Sequence, residues 1–134
     1  MKNYLRGFRG FILAAVVLTT LTSHADETNY VGGDWTFMDS QKVLTEAADI
    51  TPSKYPDCDA AIVEWKMLRE YRADGTADCQ DETFVKVLTE KGRRGNRQLS
   101  FGFMLPYSTV AVVKLEVIKP DGKVIPVDVA ANSK

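Results

Sequence analysis

The residues best suited to covalent chemistry in this sequence are two cysteines, Cys58 and Cys79. A thiol attacks as its thiolate, and that needs a pKa lowered by a histidine or a helix N-terminus. The single histidine is His24, far from either cysteine in sequence. Inert or partly buried thiols are therefore the preferred reading, and no catalytic residue is assigned. Asp57 with Asp59, and Asp78 with Asp81 and Glu82, offer the hard oxygens that calcium takes, but not in the spacing of a calcium loop. They read as solvated turn charges, so no metal or cofactor is assigned. Lys91, Arg93, Arg94 and Arg97 form a compact basic loop, the candidate interaction loop, suited to a solvated hairpin tip or to docking on an acidic envelope polymer. Phe101, Phe103 and Tyr107 with Trp65 could line a sugar or peptide groove, although their period-two spacing favours core packing.

These residues need a compartment and a scaffold. Lys2, Arg6 and Arg9 make a positive start, residues 11–21 an apolar run, and Ser23-His24-Ala25 puts small residues where a signal peptidase reads. Residues 1–25 are thus expected to be a secretory signal peptide cleaved between Ala25 and Asp26. The apolar run falls short of the roughly 20 residues that span a bilayer as a helix. A soluble periplasmic or secreted product follows, with no membrane span once the leader is gone.

The precursor has 134 residues with 17 basic and 18 acidic side chains, a net charge of −1. Removing the three leader cations leaves 14 basic against 18 acidic, or −4. Such a surface lacks the basic stripe that nucleic acid requires. The mature chain would also contain no imidazole, which excludes Ser-His-Asp and Cys-His machinery and any histidine base. What is left has the length of one domain, and the full sequence, with 45% apolar and 26% charged residues, has the balance of a globular protein.

Residues 26–48 read as an arm followed by a short helix. Trp35 and Phe37 can dock the arm, and Asp39 caps a helix over residues 40–48 with Val43, Leu44, Ala47 and Ala48 on one stripe. Pro52 and Pro56 then hold the chain extended. From residue 60 the period becomes two, with Ala61, Val63, Trp65, Met67 and Tyr71 on one face, the expected buried side. A three-residue Ala73-Asp74-Gly75 loop with a left-handed glycine returns the chain, placing Val63 near Val85 and Ala61 near Val87. Cys79 then faces residues 69–71 and Cys58 faces residues 90–92, roughly 30 Å apart by strand rise, too far for a disulfide. Further strands are expected over residues 99–105, 110–118 and 124–129, about five in all, in an antiparallel sandwich or open sheet.

Read together, Tyr55-Pro56-Asp57, Ala60-Ala61-Ile62-Val63, Asp74-Gly75-Thr76, the run from Val85 to Gly92 and the run from Ile118 to Pro126 resemble the domain of unknown function 3857, from about Ala47 to Pro126. That family is the N-terminal module of secreted bacterial transglutaminase-like proteins. The resemblance implies a mainly β, antiparallel immunoglobulin-like β-sandwich, whole or partial, with one short N-terminal helix, preceding a papain-like catalytic domain. The sequence stops at Lys134, where the family's module continues, so residues 49–134 are expected to be its front part. No family role attaches to Cys58 or Cys79.

The expected function is a non-catalytic module accompanying a transglutaminase-like peptidase domain, structural or substrate-presenting. The alternative is a free-standing envelope module that binds peptide or glycan. Expected partners are a transglutaminase-like domain or an envelope protein or polymer, with self-association through a strand edge in residues 110–129.

Overall fold

The computed structural model describes residues 12–20 and 35–133 of the chain. The expected cleavage point at Ala25 and Asp26 lies outside the described residues. Five strands form one antiparallel sheet in the order β2-β3-β1-β4-β5. They are β1 (Ile12–Thr20), β2 (Ala60–Tyr71), β3 (Ala77–Val87), β4 (Thr109–Ile118) and β5 (Val124–Pro126). Three short helices accompany them: α1 (Ser40–Ala47), α2 (Glu90–Gly95) and α3 (Val129–Asn132). The protein is thus mainly strands with a few short helices, and the expected single helix is corrected to three among the described residues.

Helix α1 starts where expected. Asp39 accepts a hydrogen bond from the Gln41 amide at 2.9 Å, which satisfies one of the orphan donors of the first turn. Its buried residues Val43 and Ala47 meet Phe84 of β3 and Ile118 of β4, with Met38, Leu44 and Val63 at the margin. This is the core, and it lies on one face of the sheet. The preceding arm crosses the same face. Trp35 is buried under Lys66, whose ammonium sits 4.4 Å from the ring centroid and donates to the Thr36 carbonyl at 2.5 Å. Lys114 covers the Phe37 ring at 5.3 Å.

The β2–β3 hairpin turns as expected. Gly75 has φ of +85°, a left-handed conformation that side chains other than glycine's adopt at a cost, and the Arg72 amide donates to the Thr76 carbonyl at 2.8 Å. The expected same-parity register holds from Tyr71↔Ala77 to Glu64↔Phe84 and then slips by one, to Ile62↔Val85 and Ala60↔Val87. A bulge at Val63 absorbs the extra residue and reverses which face the apolar positions take beyond it. Val63 turns to the core, while Trp65, Met67 and Tyr71 share the other face with Ile62 and are exposed. The expected buried face of this strand is therefore its open one.

Other expectations also change. Residues 99–105 form no strand, and Phe101, Phe103, Met104, Leu105 and Tyr107 are exposed rather than packed in the core. Alternation without a neighbouring ladder to complete the backbone hydrogen bonds does not make a strand. The last strand ends at Pro126, since Asp128 caps α3 by accepting from the Ala131 amide. Within residues 110–129, where a strand edge was expected, β4 is interior, paired by β1 on one side and β5 on the other, and the short β5 ends the sheet. Its neighbour β1 comes from the apolar run of the expected leader.

Candidate interaction surfaces

The basic residues Lys91, Arg93 and Arg94 stand on a helix, α2, where a hairpin tip was expected, and Arg97 follows it. Thr89 initiates the helix by accepting from the Gly92 amide at 3.0 Å, as a threonine N-cap does. Glu90 in the first turn and Arg93 and Arg94 in the last complement the helix dipole. Two of the four cations are engaged. Lys91 pairs with Asp59 at 2.6 Å, and Arg93 donates to both Glu90 oxygens at 2.5 and 2.8 Å. The Lys91 bond, helped by the Thr89 hydroxyl, holds the Asp59 carboxyl below its usual range, and Arg93 does the same for Glu90. Arg94 and Arg97 are exposed and form no ion pair among the described residues. The site therefore offers two uncommitted charges instead of four, a weak anchor for a polyanion.

Strand alternation splits the acidic candidates. Asp78 and Glu82 belong to the buried face with Phe84, whereas Asp81 stands opposite Met67 on the open face. Asp78 is paired with Arg72. Glu82 accepts from the Met38 amide at 2.9 Å, and burial pushes its carboxyl above the usual range despite that bond and the nearby Lys114 and Lys66. Among the described residues no group of His, Cys, Asp and Glu could hold a metal ion. Cys79 is buried in register with Arg69, as expected, and Arg69 Nη1 lies 3.2 Å from its Sγ. Cys58 is exposed, and no disulfide joins the two.

What the structure assembles instead is a largely apolar row on the open face of β2, interrupted by the exposed Arg69, which donates to Met67 Sδ at 3.0 Å. Ile62, Trp65, Met67 and Tyr71 are 63, 57, 43 and 77% exposed. Register carries the surface across the sheet: Val85 and Val117 both oppose Leu13, and Thr83 and Leu115 both oppose Ala15. At the rim a shallow cleft of about 440 Å³ opens between α1 and β2, lined by Met38, Lys42, Val43, Glu46, Trp65 and Met67. In the sequence this surface is masked by the period-two pattern, which groups Trp65, Met67 and Tyr71 with Ala61 and Val63.

Residues 73–133 match the model of a family described as a domain of unknown function with solved structure, DUF3857. The match runs from the β2–β3 turn through α3, a little under half of the chain. No curated protein and no solved structure matches the chain.

Proposed function

We propose that this chain is a non-catalytic secreted or periplasmic module, an immunoglobulin-like sandwich in its assembled form. It accompanies a transglutaminase-like peptidase domain in a structural or substrate-presenting role, and its open sheet face is the surface that docks. The observation that carries this reading is the row Ile62, Trp65, Met67 and Tyr71, more than two-fifths exposed at each position. Aromatic residues and methionine are enriched at protein interfaces, and fully burying one large apolar side chain is worth about 1.5–3 kcal/mol. The family match over residues 73–133 supports the choice of partner, and the leader pattern supports the compartment. A papain-like mechanism needs an imidazole, and residues 26–134 contain none.

The test is sedimentation of the full chain with a purified transglutaminase-like domain taken from a protein that also carries DUF3857. Co-sedimentation is expected, lost in the Trp65→Ser, Tyr71→Ser double variant while the thermal transition stays put. Absence of a complex with the wild-type chain sinks the partner. A complex indifferent to the two substitutions sinks the surface. The cleft beside Trp65 supports the second reading, a peptide- or glycan-binding module, and saturable binding of envelope peptides or glycans in place of the domain would select it.

A further inference from the structure

The sheet order places a segment of the expected leader between two strands that are not neighbours in the hydrogen-bonded ladder. All nine residues of β1 pair antiparallel with β3, from Ile12↔Lys86 to Thr20↔Asp78. The same nine pair antiparallel with β4, from Ile12↔Ile118 to Thr20↔Thr109, with one shift between Val16 and Val17. Strands β3 and β4 consequently run parallel to each other, about 9.6 Å apart at two inter-strand spacings. Without β1 the ladder breaks into two hairpins, β2-β3 and β4-β5. The slot does not depend on β1 alone for its shape. Beneath it, Val43 and Ala47 of α1 pack in one cluster with Phe84 on the β3 side and Ile118 on the β4 side, so a helix clamps the two hairpins from the core face. Closing the gap would demand a parallel ladder in place of two antiparallel ones, with a different hydrogen-bond pattern.

We infer that the slot between β3 and β4 is a strand-acceptor site. Residues 12–20 fill it in the precursor, and leader removal opens it to an extended strand of a partner protein. The acceptor state rests on the secreted reading, in which residues 1–25 are cleaved. The occupant is specified by the segment that now lies there: nine residues, antiparallel to both neighbours, without a charge, and with β-branched residues at Ile12, Val16, Val17, Thr19 and Thr20. The flanking positions divide along the slot: Val85, Val117, Leu115, Phe84 and Ile118 border the end at residues 12–15, whereas Glu82 and Lys114 border Val16, Asp81 borders Val17 and Asp78 borders Thr20, so the occupant is apolar at its first residues and meets polar neighbours further along. Main-chain pairing on two sides supplies affinity, and alternate side chains supply selectivity, as in strand-addition complexes.

Two measurements test it. In the full chain with Cys58→Ser, a Thr19→Cys substitution puts a thiol opposite native Cys79. Antiparallel partners have Cα atoms about 4.5–5.5 Å apart, within the range a disulfide spans. Mild oxidation should give an intramolecular bridge, and Leu18→Cys, one residue off register and on the other face, should not. Equal bridging by both, or by neither, overturns the slot. Next, a protease site is placed after Ala25 in the full chain, the folded protein is cut, and a fluorescent synthetic peptide of residues 12–20 with lysine-flanked ends is added. Saturable exchange is expected, weakened about tenfold or more by Val16→Pro in the peptide, because proline removes a ladder donor. Indifference to that proline, or no exchange, overturns the acceptor role. A cut chain that dimerises through the slot and excludes the peptide overturns the partner strand in favour of a second copy. A natural protein that keeps Met1 counts against leader cleavage and so overturns the natural acceptor state, whereas the engineered cut tests whether the slot itself accepts a strand.

Discussion

Replacing Gly92 by alanine asks how tightly the basic helix is held to the rest of the molecule. A methyl at this position would lie far inside van der Waals contact distance of the Asp59 carbonyl oxygen and 2.7 Å from its carbonyl carbon. Both are backbone atoms, so relief requires α2 and the start of β2 to part. That carbonyl accepts from the Leu88 and Thr89 amides at 2.9 and 3.2 Å, and the Asp59 carboxylate accepts from the Thr89 hydroxyl at 2.6 Å. Losing the two backbone bonds costs about 1 kcal/mol each, and overpacking costs about 1–3 kcal/mol more. Alanine's better helix propensity returns about 1 kcal/mol. The expected net loss is about 2–4 kcal/mol, which lowers the melting temperature of a domain this size by about 10–20 °C. The control is Gly95→Ala in the same helix, where nothing lies within 4 Å of the added carbon. It should be neutral or stabilising by up to about 1 kcal/mol. Thermal melts followed by far-ultraviolet circular dichroism compare the pair. A Gly92→Ala chain as stable as Gly95→Ala would refute the close approach and, with it, the placement of Lys91, Arg93 and Arg94.

Glu82→Gln should stabilise the protein at neutral pH. Burial raises the Glu82 carboxyl, so the folded state holds its proton more tightly than the unfolded state, and this group's contribution worsens as pH rises from the ordinary carboxylate range of about 4.3 through the raised value. Urea midpoints across that window should show the penalty in the wild type and a flatter profile in the variant; parallel profiles would contradict it. In more acid solution both chains should lose stability together, because Asp59, Asp74 and Glu90 are held below the usual range and their contributions vanish on protonation. Asp39→Ala removes the N-cap of α1 and should cost about 1 kcal/mol in a urea titration, with Asp39→Asn close to wild type. Cys58→Ala and Cys79→Ala should leave no difference in peptidase or transglutaminase assays, and cysteine-dependent turnover above the no-enzyme rate would overturn the non-catalytic reading.

Features governed by neighbours along the chain are legible in the order of residues alone. Asp39 ahead of the Val43 and Ala47 stripe marks α1, and Asp74-Gly75 marks a hairpin with its loop length and initial register, because caps and turns depend on a few adjacent residues. The match of a family model to residues 73–133 covers the later of the local signals that carry the resemblance, from Asp74-Gly75-Thr76 onward, and not Tyr55-Pro56-Asp57 or Ala60 to Val63. Tertiary structure decided the rest. A bulge at Val63, invisible to a period-two count, exchanges the faces of β2 and turns Trp65, Met67 and Tyr71 outward. Thr89 caps a helix where a basic hairpin tip was expected, and close packing on the Asp59 backbone is what requires a glycine at residue 92. Residues 99–105 alternate like a strand yet pair with nothing, whereas residues 12–20, read as a leader's apolar core, take the centre of the sheet. An extended segment becomes a strand only when another ladder satisfies its backbone, and which ladder stands beside it is a property of the whole fold.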